Sequence, residues 1–118
     1  MSRIVALIED DYADAERARR ALADLEIEIH TLECGSVGIE FLRNNAKSIG
    51  VIAVDMVLGF VTGQDVIRFA LANDIPIVAV TGEQTLVPRG ILAVSKHLDD
   101  PLFSRTLRGA VRSKLHGV

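Results

Sequence analysis

Four short apolar runs in this 118-residue chain each end in side chains capable of chemistry. "RIVALI" (3–8) runs into Glu9, Asp10 and Asp11, "GVIAV" (50–54) into Asp55, "IPIVAV" (75–80) into Thr81, and "GILAV" (90–94) into Ser95 and Lys96. Carboxylates crowded together repel one another, and some stay protonated unless a cation intervenes. A hard divalent ion such as Mg2+ meets that need, because it takes one or two carboxylates, a carbonyl and several waters. Lys96 adds a positive charge able to pair with Asp55 or with an anion bound to it. Thr81 adds a hydroxyl, and Gly82 behind it leaves a backbone N–H open to close approach. The set amounts to a carboxylate nucleophile, a metal to neutralise phosphoryl oxygens, and a cation and hydroxyl to hold the product. Phosphoryl transfer asks mainly for positioning and charge neutralisation, so these parts suffice for it. Asp55 stands alone at the end of its run and is the expected nucleophile.

These residues meet only if the elements carrying them are strands of one sheet. The four runs, with "IEIHTL" (27–32), are short, rich in Ile and Val, and bounded by turn or charged residues, as strands buried on both faces are. Only 27–32 alternates, Ile27, Ile29 and Thr31 against Glu28, His30 and Leu32, which puts it nearer an edge. Helical patterns lie between. Residues 11–26 carry Ala15, Ala18, Leu22 and Leu25 at steps of three and four, with Arg17, Arg19 and Arg20 on the other side. Residues 36–47 start at a candidate cap, Ser36, and 62–73 set Val66, Ala70 and Leu71 on one stripe. The last helix has Asp100 as N-cap and Pro101 at its first position, then Leu102, Leu107, Val111 and Leu115. Residues 82–89, "GEQTLVPR", have room for about one helical turn at most. Strand and helix alternate five times, which implies a single α/β domain over 1–118, a parallel sheet with helices on both faces. Ligands of such sheets bind outside the carboxyl ends of the strands, where Glu9, Asp10, Asp55, Thr81 and Lys96 all fall. Taken singly, the 9–11 run could cap a helix, Asp55 close a turn, Thr81 be a loop hydroxyl and Lys96 a solvated strand end. Their shared place in one inferred sheet favours chemistry.

Composition narrows the partners. The chain is 49% hydrophobic, and its thirteen Lys and Arg are outnumbered by sixteen acids, for a formal net charge of -3. That balance argues against a nucleic-acid-binding face, and the absence of Trp leaves little for base stacking. No apolar run reaches the roughly 18 to 20 residues that span a bilayer, and carboxylates follow the first run where a signal peptide would stay apolar. A cytoplasmic protein that engages neither membrane nor nucleic acid is expected, with Cys34 a passive packing thiol. No P-loop or G-x-G-x-x-G occurs, and His30, His97 and His116 lack metal-ligand spacing. An aspartyl phosphatase would want a second Asp at position 57, which is Val57.

The segments "ALIEDD", "VIAVD", "VAVTGE" and "AVSK" together resemble the receiver domain of two-component response regulators, over essentially the whole chain. The resemblance implies the flavodoxin-like (βα)5 fold, strand order 2-1-3-4-5, here with a shortened fourth helix. It implies that Glu9 and Asp10 form the acidic pair that binds Mg2+, Asp10 directly and Glu9 through water, with Asp11 left to the helix entrance. Asp55 would accept phosphate from the phosphohistidine of a sensor histidine kinase or a histidine phosphotransfer protein, and would ligate the metal together with the carbonyl of Val57. Thr81 would move toward the phosphoryl group and Lys96 would pair with it. Such a protein assists its own phosphorylation and dephosphorylation and is not a conventional turnover enzyme.

Several positions depart from that pattern. Gly59 stands where a proline is frequent, Ala93 replaces an aromatic switch residue, and His97 follows Lys96 where proline after a cis bond is usual; cis bonds are rare without proline. Lys96 comes only fifteen positions after Thr81, so the output mechanism is expected to differ more than the phosphorylation chemistry. With no output domain in the sequence, the signal is expected to pass to a downstream protein. Apolar Val57 cannot guide an attacking water, so self-dephosphorylation is expected to be slow. The alternative is a pseudo-receiver, a phosphorylation-independent protein-interaction module.

Overall fold

Alternate residues of the central strands part to opposite sides of a sheet, which is why those strands read as uninterrupted apolar runs. The structure, a computed structural model, describes residues 4–32, 35–58 and 62–117. The elements are β1 (Ile4–Ile8), α1 (Tyr12–Leu22), β2 (Glu28–Leu32), α2 (Gly35–Asn45), β3 (Ile49–Val54), α3 (Gly63–Ala72), β4 (Ile77–Thr81), β5 (Leu92–Ser95) and α4 (Asp100–His116). All strand pairs are parallel, in the order β2-β1-β3-β4-β5. This is the doubly wound, flavodoxin-like arrangement expected, with β2 at an edge. The shortened segment between β4 and β5 holds a single 3-10 turn, Gln84–Leu86. No helix among the described residues is long and apolar enough to cross a membrane.

Two cores result. Val5, Leu7, Val51, Ala53, Val78 and Val80 face α1 and α4, packing on Ala18, Leu22, Phe103, Leu107 and Val111. Ala6, Ile8, Ile52, Val54, Ile77 and Ala79 face the other way, onto Leu42 of α2 and Val66, Ile67 and Ala70 of α3. Each fully buried aliphatic side chain contributes about 1.5–3 kcal/mol, and the two layers clamp β1 and β3 from both sides. The ends of those strands are therefore held by packing on both faces of the sheet.

Helix ends and faces differ from the sequence reading in a few places. α1 stops at Leu22, not at 26, because residues 23–27 turn the chain back beside β1; Leu25 N–H donates to the Leu22 carbonyl there. α2 begins at Gly35, so Ser36 lies inside it and is not its cap. The cap of α4 is Asp99, not Asp100: Asp99 is extended and its carboxylate accepts from Leu102 N–H at 3.1 Å. Pro101 is thus the second helical residue, and Phe103, not Leu102, turns into the core. On α3 the buried stripe is Val66, Ile67 and Ala70, while Leu71 is 61% exposed. Glu33, Cys34 and Gly59 lie outside the described residues.

Candidate functional site

Glu9, Asp55 and Lys96 each directly follow a strand, and each is tied to a neighbouring strand by its own backbone N–H. Glu9 donates to the Leu32 carbonyl at 3.1 Å, Asp55 to Ile8 at 3.0 Å and Lys96 to Thr81 at 3.1 Å. The ladder thus extends one residue past these strands and aligns the polar residues along the carboxyl edge of the sheet. Gly63, the first residue of α3, packs on the backbone behind Asp55. A Cβ there would lie 2.4 Å from the Asp55 carbonyl oxygen and 2.5 Å from Met56 Cα, so only glycine fits. Thr62 and Asp65 form a reciprocal capping box that pins this end of α3.

One carboxylate oxygen from each of Glu9, Asp10 and Asp55 lies within 4.8 Å of the others. Glu9 and Asp55 are buried, and Asp10 is exposed at the mouth. Lys96 enters from β5 and places Nζ 2.5 Å from Glu9 Oε1, 2.9 Å from Asp55 Oδ2 and 2.9 Å from Asp14 Oδ2. Burial opposes the charge on Lys96, yet its hydrogen bonds to Glu9, Asp14 and Asp55 outweigh this and hold its pKa above the usual lysine value. Burial pushes the Glu9 carboxyl up to about 7, against the hydrogen bond and attraction of Lys96, with Asp55 adding repulsion. A single ammonium therefore leaves this acid group short of positive charge, and a hard divalent cation matches an all-oxygen donor set of this kind.

The sequence-derived residues are placed as follows. Asp11 caps α1, its Oδ1 accepting from Asp14 N–H at 2.9 Å, apart from the carboxylate cluster. Val57 is half exposed beside Asp55, and its N–H donates to Asp55 Oδ1 at 3.2 Å. Thr81 is fully buried at the end of β4, its hydroxyl accepting from Glu83 N–H at 3.0 Å. His97 is exposed, and its ring nitrogen lies 3.2 Å from the Gly82 carbonyl, linking the two loops. There is no cis peptide bond among the described residues, and Lys96 reaches Asp55 without one.

Two residues at the site escaped the sequence reading. Asp14, one helical turn past Asp10, is a third carboxylate on Lys96, beside Glu9 and Asp55; strand ends alone do not reveal it, although the first turn of the next helix stands at the same edge. Arg17, assigned to the solvent side of α1, instead faces α4 and is only 20% exposed. Nothing local in the sequence marks it, since its partners lie some eighty positions away.

No family model and no curated protein matches the sequence. Solved structures do match it in fold. A response regulator receiver domain protein from Clostridium thermocellum superposes with a TM-score of 0.76 at 17% identity, over 100% of both chains. The phosphorylated cyanobacterial phytochrome response regulator RcpA gives 0.81 at 20% identity, covering 100% of this chain and 97% of that one. The receiver domain of the hybrid histidine kinase CckA gives 0.77 at 20% identity, covering 95% and 98%. The chain has the receiver-domain fold.

Proposed function

We propose that this receiver-fold chain, a single domain, is a two-component signalling receiver: Asp55 accepts a phosphoryl group from a sensor histidine kinase or a histidine phosphotransfer protein in a Mg2+-dependent reaction. The observation that carries this reading is the meeting of Glu9, Asp10 and Asp55 within 4.8 Å, with the Lys96 ammonium 2.9 Å from Asp55. An acid cluster with one lysine is a poor structural cement, because breaking or burying such pairs costs stability that packed apolar residues would not. It is a good phosphoryl site, because charge neutralisation is what that transfer needs.

Glu9, Asp10, Asp55 and the carbonyl of Val57 would hold Mg2+, which supplies neutralisation of the phosphoryl oxygens when bound. In the transfer, an Asp55 carboxylate oxygen forms a bond to phosphorus as the phosphorus–nitrogen bond of the donor phosphohistidine breaks, the electron pair leaving with the imidazole. Lys96 pairs with the phosphoryl oxygens that arrive at Asp55. Thr81, hydrogen-bonded to the 82–89 loop at rest, turns its hydroxyl toward them. The modification adds about 1.5 to 2 negative charges, and the protein responds by shifting between two conformations that meet this charge differently. Thr81 and the 82–89 loop are the moving element, read by a downstream protein. The chain assists its own modification and is no conventional turnover enzyme.

The test is mass spectrometry after treatment with a small phosphodonor and Mg2+. The natural chain gains one phosphoryl group, and Asp55→Ala or omission of Mg2+ prevents it. A chain that stays unmodified, yet holds a partner equally well with Asp55 or Ala at that position, is a pseudo-receiver. The observation favouring that second reading is the connection from β4 to β5, where a 3-10 turn leaves little structure to relay a change. NMR with beryllofluoride and Mg2+ locates the response, and unchanged signals over residues 80–97 would remove the proposed moving element.

A further inference from the structure

Lys96 has its long side chain in the site and its backbone in a tight turn after β5, a four-residue edge strand. The N–H groups of that turn are answered from the sheet side: Lys96 N–H by the Thr81 carbonyl, His97 N–H by Ser95 Oγ and Leu98 N–H by the Ser95 carbonyl. Its carbonyls are answered from α1. Arg17 Nη1 donates to the Lys96 carbonyl at 2.7 Å and Nη2 to the Leu98 carbonyl, while Nε meets Asp100 Oδ1 at 2.6 Å. The guanidinium lies over the Phe103 ring, 4.0 Å from its centroid, which fixes its plane. A guanidinium carries its donors on three nitrogens at fixed positions in one plane, so it can reach two carbonyls and a carboxylate that stand apart, a spacing that the single nitrogen of an ammonium does not reproduce. One turn earlier on the same helix, Asp14 takes the Lys96 ammonium at 2.9 Å. α1 therefore grips this lysine at both ends.

We propose that Arg17 is a positioning residue for Lys96: by holding the carbonyls of Lys96 and Leu98 it fixes the start of a flexible side chain, and so the place where its ammonium meets Asp55. The functional consequence rests on Asp55 being the phosphoacceptor, but the placement of Lys96 does not. A misplacement of about 1 Å in a reacting constellation can cost about a hundredfold in rate. Loss of the Arg17 fork is therefore expected to slow phosphorylation of Asp55 by about ten- to a hundredfold.

Two readouts on the purified chain decide this. The first is the 15N signal of the Lys96 ammonium in Mg2+-free protein, and the second is the rate of Asp55 phosphorylation by phosphoramidate at saturating Mg2+. Arg17→Ala and Arg17→Lys are both expected to shift or broaden the Lys96 signal and slow the reaction, the lysine variant because one nitrogen does not reproduce the fixed spacing of the guanidinium fork. Arg108→Ala breaks another tie of α4, to Asp24 in the turn just after α1 at 3.0 Å, and is expected to leave both readouts unchanged. If Arg17→Ala does not fold, Arg17→Lys carries the comparison. An unmoved Lys96 signal in the Arg17 variants, or an equal disturbance from Arg108→Ala, overturns the assignment. If the natural chain is not phosphorylated but its Lys96 signal still moves only with Arg17, the phosphoacceptor reading fails and the positioning role stands.

Discussion

Glu9 makes stability depend on pH in a way that a single substitution isolates. Its carboxyl is pushed up to about 7 in the folded chain by burial, against Lys96 and with help from Asp55, from an ordinary 4.5. Between those values the folded state holds a proton that the unfolded state has released, so stability falls as pH rises. The contribution is complete below about 4.5 and gone above about 7. The interval from 4.5 to about 7, at about 1.36 kcal/mol per pH unit, corresponds to about 3 kcal/mol. For 118 residues, an unfolding entropy of about 2.1 cal/mol/K per residue makes this about 12 °C in Tm. The assay is thermal and urea denaturation from pH 5 to 8 in EDTA, comparing the natural chain with Glu9→Gln. Glutamine keeps the size and an oxygen to accept the Asp11 N–H that Glu9 receives, but it does not titrate. The difference between the two curves therefore isolates what position 9 contributes. The natural chain is expected to lose most of this increment relative to the variant over that range, and millimolar Mg2+ is expected to flatten its curve. Parallel curves for the two proteins would refute the argument that burial of Glu9 governs the acid cluster.

Three further perturbations probe separate links. Gly63→Ala forces a Cβ to within 2.4 Å of the Asp55 carbonyl oxygen; overpacking of this kind costs about 1–3 kcal/mol, and because the atom displaced is Asp55 backbone, Mg2+ affinity measured by calorimetry should fall with Tm. Leu107→Ala empties a fully buried position between α4 and the sheet, so urea denaturation should show a loss of about 2–5 kcal/mol with Mg2+ affinity unchanged. Val57→Asn puts an amide at a half-exposed position beside Asp55, where it can guide a water; the phosphorylated form should then lose its phosphate several times faster, followed by mass spectrometry, and an unchanged half-life would count against a water-guiding role for that position.

Residue pattern alone was enough to reach the sheet and the outline of the site. Period and length separated the buried strands from the helices, and parallel strands separated by helices admit few arrangements. Once the apolar runs are strands of one sheet, Glu9, Asp10, Asp55, Thr81 and Lys96 must stand at one edge, because each comes directly after a run or within two residues of one. Boundaries were less legible. Asp99 and Asp100 are chemically equivalent as caps, and only the packing of Phe103 against the sheet decides which residue starts α4. Likewise, Asp10 and Asp11 are adjacent and identical in type; the direction in which the chain enters α1 sends one to the cluster and the other to the cap.

What only the tertiary structure decided is what meets Lys96 besides Asp55. Asp14 and Arg17 lie 82 and 79 positions from it in the chain, and no local pattern distinguishes an arginine that covers a helix surface from one that crosses to a neighbouring turn. That choice depends on how α1 and α4 pack side by side on the same face of the sheet. The pairing of Lys96 with three carboxylates, and the burial that pushes Glu9 up to about 7, follow from distance and exclusion of water, which a sequence does not carry. The identities of the charged groups were in the sequence; their energies come from the fold.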